Sequence, residues 1–228
     1  MAINWVNRFR PTSFDEMALY PLLRRRLEFY AKSGEFPHLL MVGDTGVGKT
    51  TAARILCGGD EIEYDCTKKN AKSDMGRIAS QTNIRTLLGT KRLIIMDEFH
   101  EVRKDAQVLF NKIMEDGADR NTFIFCVNDI HAVAPPIVSR CTPMHFDVGI
   151  LHPKTLKLVI HNYASITESQ WIKELTRVGE IVAKKGGYSP TKKQLDIVAS
   201  NPVHTIDARS YIMELEQQIK MDESDSLP

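Results

Sequence analysis

Leu39-Leu40-Met41-Val42-Gly43-Asp44-Thr45-Gly46-Val47-Gly48-Lys49-Thr50-Thr51 joins an apolar run to a glycine-rich turn that ends in a lysine and two threonines. His38–Val42 has strand length and residues 49–57 suit a helix, so the order is strand, glycine loop, helix. Residues 43–50 satisfy G-x-x-x-x-G-K-[ST] in the setting that gives this pattern its meaning. The glycines let the chain curl until several backbone N–H groups point inward, and the following helix N-terminus adds partial positive charge. The loop predicts a nucleotide cradle made by Gly43, Asp44, Thr45, Gly46, Val47, Gly48, Lys49, Thr50 and Thr51. Lys49 reaches the β and γ phosphates, and the Thr50 hydroxyl binds Mg²⁺.

Working outward, Arg92–Met96 and Thr122–Val127 are nearly continuous apolar runs of strand length with helical sequence between them. Such runs suit parallel strands covered on both faces, and strands alternating with helices predict an α/β domain with a mostly parallel sheet. Asp97-Glu98 ends the first of these strands and Asn128 ends the second. Ligands gather at the carboxyl edge of such sheets. There Asp97 holds the Mg²⁺ shell, Glu98 orients or activates the attacking water, and Asn128 bonds the water or the γ phosphate.

Residues 1–20 read as an irregular lead-in and 22–33 as a helix ended by Gly34. After residue 148 no strand-like run occurs. Helices are predicted at about 153–165, 168–185, 190–199 and 205–219, with Ser189-Pro190 opening the third. The expected division is a nucleotide-binding domain over 1–148, a small all-helical lid over 149–220 and a polar tail over 221–228.

The 228 residues carry 30 basic and 29 acidic side chains, too balanced for a strong overall field toward nucleic acid or an anionic membrane. The four cysteines, Cys57, Cys66, Cys126 and Cys141, lack the spacing of a zinc or redox motif, which suits reduced thiols in the cytoplasm. No apolar run approaches bilayer length, so a soluble protein with no membrane partner is expected.

Three further segments resemble one family. Trp5-Val6-Asn7-Arg8-Phe9-Arg10-Pro11 with Phe14-Asp15 is similar to the lead-in of AAA+ clamp-loader subunits, and Ile137-Val138-Ser139-Arg140-Cys141 to their serine-arginine-cysteine motif. With Asp97-Glu98-Phe99, Asn128 and the helix from Asp105-Ala106-Gln107 to Ile113-Met114-Glu115, the chain resembles a small subunit of replication factor C or, more closely, its bacteriophage counterpart. The resemblance covers about residues 3–215.

It implies an ATPase using ATP and Mg²⁺, acting in an oligomer of like or paralogous AAA+ subunits to load a sliding clamp on primer-template DNA. It makes Arg140 a finger directed at a neighbour's γ phosphate and Arg209 a second sensor on the lid. Val6, Phe9, Arg10 and Pro11 become the adenine pocket, although Phe9 stands where tyrosine is common, and Gln107 a link between the phosphate site and DNA. Lys68, Lys69, Lys72, Arg77 and Arg85 fall where the family meets DNA phosphates. Family members continue into a collar domain of on the order of 100 residues, whereas this sequence ends soon after the Arg209 helix. A truncated product, or an assembly held by other contacts, is the expectation.

Two rival readings stay open. Asp97-Glu98-Phe99-His100 also spells the D-E-x-H box of helicases, but a helicase needs a second strand-rich lobe and 149–228 reads as helical. A AAA+ scaffold that binds ATP on DNA without loading a clamp is the other.

Overall fold

A computed structural model describes residues 4–59, 61–68, 72–82, 91–151 and 158–225. In chain order the elements are α1 (Trp5–Arg8), α2 (Pro21–Ser33), β1 (Leu39–Val42), α3 (Lys49–Cys57), β2 (Glu61–Asp65), α4 (Lys72–Thr82), β3 (Arg92–Asp97) and α5 (Lys104–Asp116). They continue as β4 (Asn121–Val127), α6 (Pro135–Val138), β5 (Thr142–His145), β6 (Gly149–Leu151), β7 (Leu158–Ile160), α7 (Glu168–Lys185), α8 (Lys192–Ala199) and α9 (Ala208–Asp225). They pack as two compact units, one from the described residues of 27–45 and 52–146, the other from those of 1–26, 46–51 and 147–228. No helix among the described residues is long and apolar enough to cross a membrane.

The first unit is built on a five-stranded, wholly parallel sheet in the order β2-β3-β4-β1-β5. β1 and β4 are buried along their whole length, as their uninterrupted apolar sequences require. β2 and β5, absent from the sequence expectation, are the edge strands. Glu61-Ile62-Glu63-Tyr64-Asp65 carries charge, and Thr142-Pro143-Met144-His145 carries a proline, both tolerated only where a strand has one neighbour. Phe99, Phe110, Phe123 and Phe125 pack edge to face across the core, with Phe99 and Phe125 centroids 4.7 Å apart. Phe99 is fully buried, which anchors the turn that carries Asp97 and Glu98.

The second unit gathers α7, α8 and α9 with the start of the chain. Gly179 on α7 lies where an added Cβ would meet the Tyr211 ring at 2.8 Å and Leu215 at 3.0 Å, so α7 and α9 cross closely there. The lead-in is more regular than expected. Asn4 caps α1, a 3₁₀ turn covers Phe14–Glu16, and the buried Trp5 N–H donates to Glu216 Oε2 at 2.9 Å. Arg24 and Arg177 both donate to the Met17 carbonyl and both pair with Glu174.

Three expectations for this unit are corrected. Residues 149–160 are not purely helical, because β6 and β7 form a two-stranded antiparallel sheet. The predicted helix over 153–165 is replaced at Leu158–Ile160 by strand, and 153–157 lies outside the described residues. These strands are three residues long and leave no readable period. α8 starts at Lys192, because Thr191 and Gln194 form a reciprocal capping box that outcompetes Ser189-Pro190. Residues 221–225 are helical, since Asp222 accepts hydrogen bonds from Gln194 at 2.8 Å and Gln218 at 2.9 Å.

Candidate nucleotide-binding and hydrolysis site

In the first unit the register alone assembles one edge. Val42 lies opposite Val127 and Met96 opposite Phe125, so Asp97, the last residue of β3, lies at the same carboxyl edge as Gly43 and Asn128, which follow β1 and β4. The Gly43 N–H donates to the Val127 carbonyl at 3.1 Å, which draws the start of the loop toward Asn128. Cys66 N–H donates to the Asp97 carbonyl at 2.9 Å, holding the end of β3.

Glu98 then adopts a left-handed conformation, φ 53° and ψ 39°, and its N–H donates to Asp97 Oδ1 at 3.2 Å. A non-glycine residue at positive φ is held against its preference, and such positions concentrate where function over-determines the chain. The turn brings His100 back toward Glu98. His100 Nε2 lies 3.3 Å from Glu98 Oε2 and 3.2 Å from Asn128 Nδ2. In the sequence His100 reads only as the last letter of a helicase box. Its proximity to Asn128, 28 residues away, is tertiary and leaves no local signal.

Gly46 and Gly48 have φ of 98° and 99°, which L side chains rarely adopt. An added Cβ on Gly46 would meet Asp207 Oδ1 at 2.9 Å and Arg209 Cβ at 3.3 Å; on Gly48 it would meet Met17 Cε at 2.8 Å. Asp207 is the N-terminal cap of α9, accepting from the Ser210 N–H at 2.9 Å and hydroxyl at 2.8 Å. Lys49, the first residue of α3, is buried with Val47, while Asp44 and Thr45 are exposed and Thr50 and Thr51 half-buried. Turned glycines, a buried lysine and a helix N-terminus suit phosphate. Among the described residues no group of three or more His, Cys, Asp or Glu could hold a metal. Mg²⁺ usually needs only one or two protein oxygens beside substrate phosphates, and the Thr50 hydroxyl and the Asp97 carboxylate are oxygens of that kind.

The remaining expected residues fall as follows. Arg209 is exposed at the second position of α9, and no carboxylate among the described residues pairs with it. Arg140 is exposed after α6; it donates to the Pro136 carbonyl at 2.7 Å and pairs with Glu115 of α5. Val6, Phe9 and Pro11 are half-buried and Arg10 is exposed. Phe9 lies beside Gly186, with the Arg8 guanidinium 5.2 Å over its ring. Gln107 is buried rather than solvent-facing. Its amide donates to the Val102 and Ala132 carbonyls at 2.9 and 3.1 Å and accepts from the Ala134 N–H at 2.7 Å. It therefore ties the segment after Glu98 to the segment after Asn128.

Of the basic candidates, Lys68 is exposed and paired with Asp65 at 2.8 Å. Its hydrogen bond, with that of Thr67, lowers the Asp65 carboxyl to about 2. Arg77 is exposed on α4, which begins at Lys72, whereas Lys69 and Arg85 lie outside the described residues. Burial pushes the Cys57 and Cys141 thiols up to about 12, so neither supplies a thiolate at neutral pH.

Residues 39–148 match the family described as ATPase family associated with various cellular activities (AAA). Fold and site define the class: the chain has a AAA+ P-loop NTPase fold, a parallel sheet flanked by helices, with a helical C-terminal region. Its homologues include replication factor C small subunits. Small subunit 1 of Pyrobaculum islandicum is 31% identical over 180 residues, which are 75% of this chain and 54% of that protein. The small subunit of Methanococcus vannielii is 29% identical over 178 residues, 74% and 55% of the two chains. The chain thus spans about half the length of the curated relatives it matches. In fold it is similar to the Thermotoga maritima RuvB Holliday junction branch migration motor, with a TM-score of 0.63 at 18% identity over 93% of this chain and 72% of that one. A mutant of that protein gives 0.73 at 18% identity, over 96% and 68%.

Proposed function

We propose that the chain is the ATPase subunit of a clamp-loader-type assembly, of the small-subunit or bacteriophage kind, that couples ATP turnover to loading a sliding clamp on primed DNA during replication in the cytoplasm. The observation that carries the reading is the joint occurrence of Gly43, which opens the phosphate-loop motif, with Asp97-Glu98 and Asn128 at one sheet edge, and of an exposed Arg140 at the end of α6. Its relatives' names point the same way.

In this reading residues 1–148 form the nucleotide-binding domain and 149–220 the lid. Lys49 and the loop N–H groups hold the phosphates, Thr50 and Asp97 hold Mg²⁺, and Glu98 orients the attacking water. Bound Mg²⁺ neutralises phosphate charge. Val6, Phe9, Arg10 and Pro11 receive the adenine, and Arg209 reports the nucleotide state to the lid. Arg140 of one subunit exchanges its contact with Glu115 for the γ phosphate of the next, where a guanidinium stabilises developing charge. Lys68, Lys69, Lys72, Arg77 and Arg85 track DNA phosphates without reading bases.

Phosphate release by the full chain, measured with its paralogous subunits and clamp and with or without primer-template DNA, tests this. Stimulation by primed DNA and clamp together is expected. Turnover indifferent to both would leave an ATPase that is no clamp loader.

A further inference from the structure

His100 lies between the two groups that the site reading makes responsible for water and γ phosphate. Its Nε2 faces Glu98 Oε2 at 3.3 Å, Glu101 Oε1 at 3.6 Å and Asn128 Nδ2 at 3.2 Å. Its other nitrogen, Nδ1, is buried and has no hydrogen-bond partner among the described residues. A histidine kept for packing alone would satisfy its deep nitrogen or be replaced by an apolar ring, since an unpaired buried polar atom is costly. Here the polar work falls on Nε2.

That nitrogen cannot serve both neighbours. With a hydrogen it donates to the Glu98 carboxylate and opposes the Asn128 N–H; without one it accepts from Asn128 and turns a lone pair toward the carboxylate. The strained Glu98 backbone, φ 53°, and the burial of Phe99 keep the three side chains in this arrangement.

We propose that His100 is a positioning residue that makes the orientation of Glu98 conditional on Asn128. This rests on the roles assigned above to Glu98 and Asn128. While Asn128 bonds His100, Glu98 is not held. When a γ phosphate engages Asn128, the ring exchanges its Nδ1 proton through solvent for one on Nε2, and the new Nε2–H donates to Glu98 and fixes its carboxylate for the attacking water. His100 itself touches neither substrate nor water.

The test compares His100→Gln, His100→Phe, Asn128→Ala and the double variant His100→Phe with Asn128→Ala, each as the full chain in the assembly in which the wild type turns over. Glutamine retains an N–H near the Nε2 position; phenylalanine retains only the ring. For His100→Phe, kcat falls roughly ten- to a hundredfold, the cost of a misplaced catalytic group, with KM for ATP unchanged. His100→Gln keeps most of the wild-type kcat. Asn128→Ala costs much less when combined with His100→Phe than alone, because the relay is already broken.

Wild-type turnover in His100→Phe, loss in His100→Gln exceeding that in His100→Phe, or full additivity with Asn128→Ala would each overturn the proposal. Binding of a fluorescent ATP analogue verifies that each variant is folded. Glu98→Gln separates the two levels: if it slows turnover while His100→Phe does not, only the relay fails. If Glu98→Gln turns over normally, the underlying site reading fails with it.

Discussion

Lys49 is buried at the start of α3, and Gly46 curls in the left-handed region against the cap of α9, so the loop depends on individual atoms that admit little substitution. Lys49→Ala should abolish ATP binding, measured by titration with a fluorescent analogue, while the thermal midpoint of the apo protein stays near that of the wild type. Gly46→Ala meets two penalties: an L residue forced to φ 98°, about 1–2 kcal/mol, and a Cβ 2.9 Å from Asp207 Oδ1. A weaker affinity and a lower stability in denaturant titration are expected together. Glu98→Gln keeps the nucleotide and lowers kcat by about 10² or more, the usual contribution of a positioned acid–base group. These residues were legible because a phosphate loop is a local device, with its glycines, lysine and threonine adjacent in sequence. His100 was not, because its approach to Asn128 spans 28 residues, and Gln107 was named only through the family resemblance, because its bonds to Ala132 and Ala134 are tertiary.

Elements that bury both faces announced themselves, and those with a solvent edge did not. β1, β3 and β4 read as apolar runs, and α7 matches its expected span, its apolar period starting at a reciprocal Thr167–Gln170 cap. β2 and β5 were hidden by the charges and the proline that an edge strand tolerates, and the short pairing of β6 with β7 by its length. α5 shows how an element serves the site, since Gln107 closes three backbone hydrogen bonds between the segments following Glu98 and Asn128. Gln107→Ala should cost about 1–3 kcal/mol in denaturant titration and lower kcat more than ATP affinity. α7 sets a pH limit. Burial raises the Glu174 carboxyl, but Arg177 and Arg24 outweigh it and hold it below its ordinary 4.5. The unfolded chain therefore binds this proton more readily, so the stabilisation is present above pH 4.5 and fades as pH falls through the lowered value. Glu174→Gln should flatten that acid limb in thermal scans.

At the scale of the whole molecule, 30 basic against 29 acidic residues supply no general attraction for DNA, so any grip must be pooled from local patches on several subunits. The account accordingly rests on assembly, with Arg140 leaving Glu115 to complete the site of a neighbour. Arg140→Ala should leave ATP affinity near that of the wild type and suppress turnover in the assembled state. The most direct test mixes two inactive chains, Arg140→Ala, which keeps its own Glu98, and Glu98→Gln, which keeps its own Arg140, and measures phosphate release. The shared-site account predicts that each alone is nearly silent and that the mixture regains turnover, because Arg140 of one chain completes the site of the other. A mixture as silent as its components, or an isolated Arg140→Ala monomer hydrolysing ATP at the wild-type rate, would contradict it.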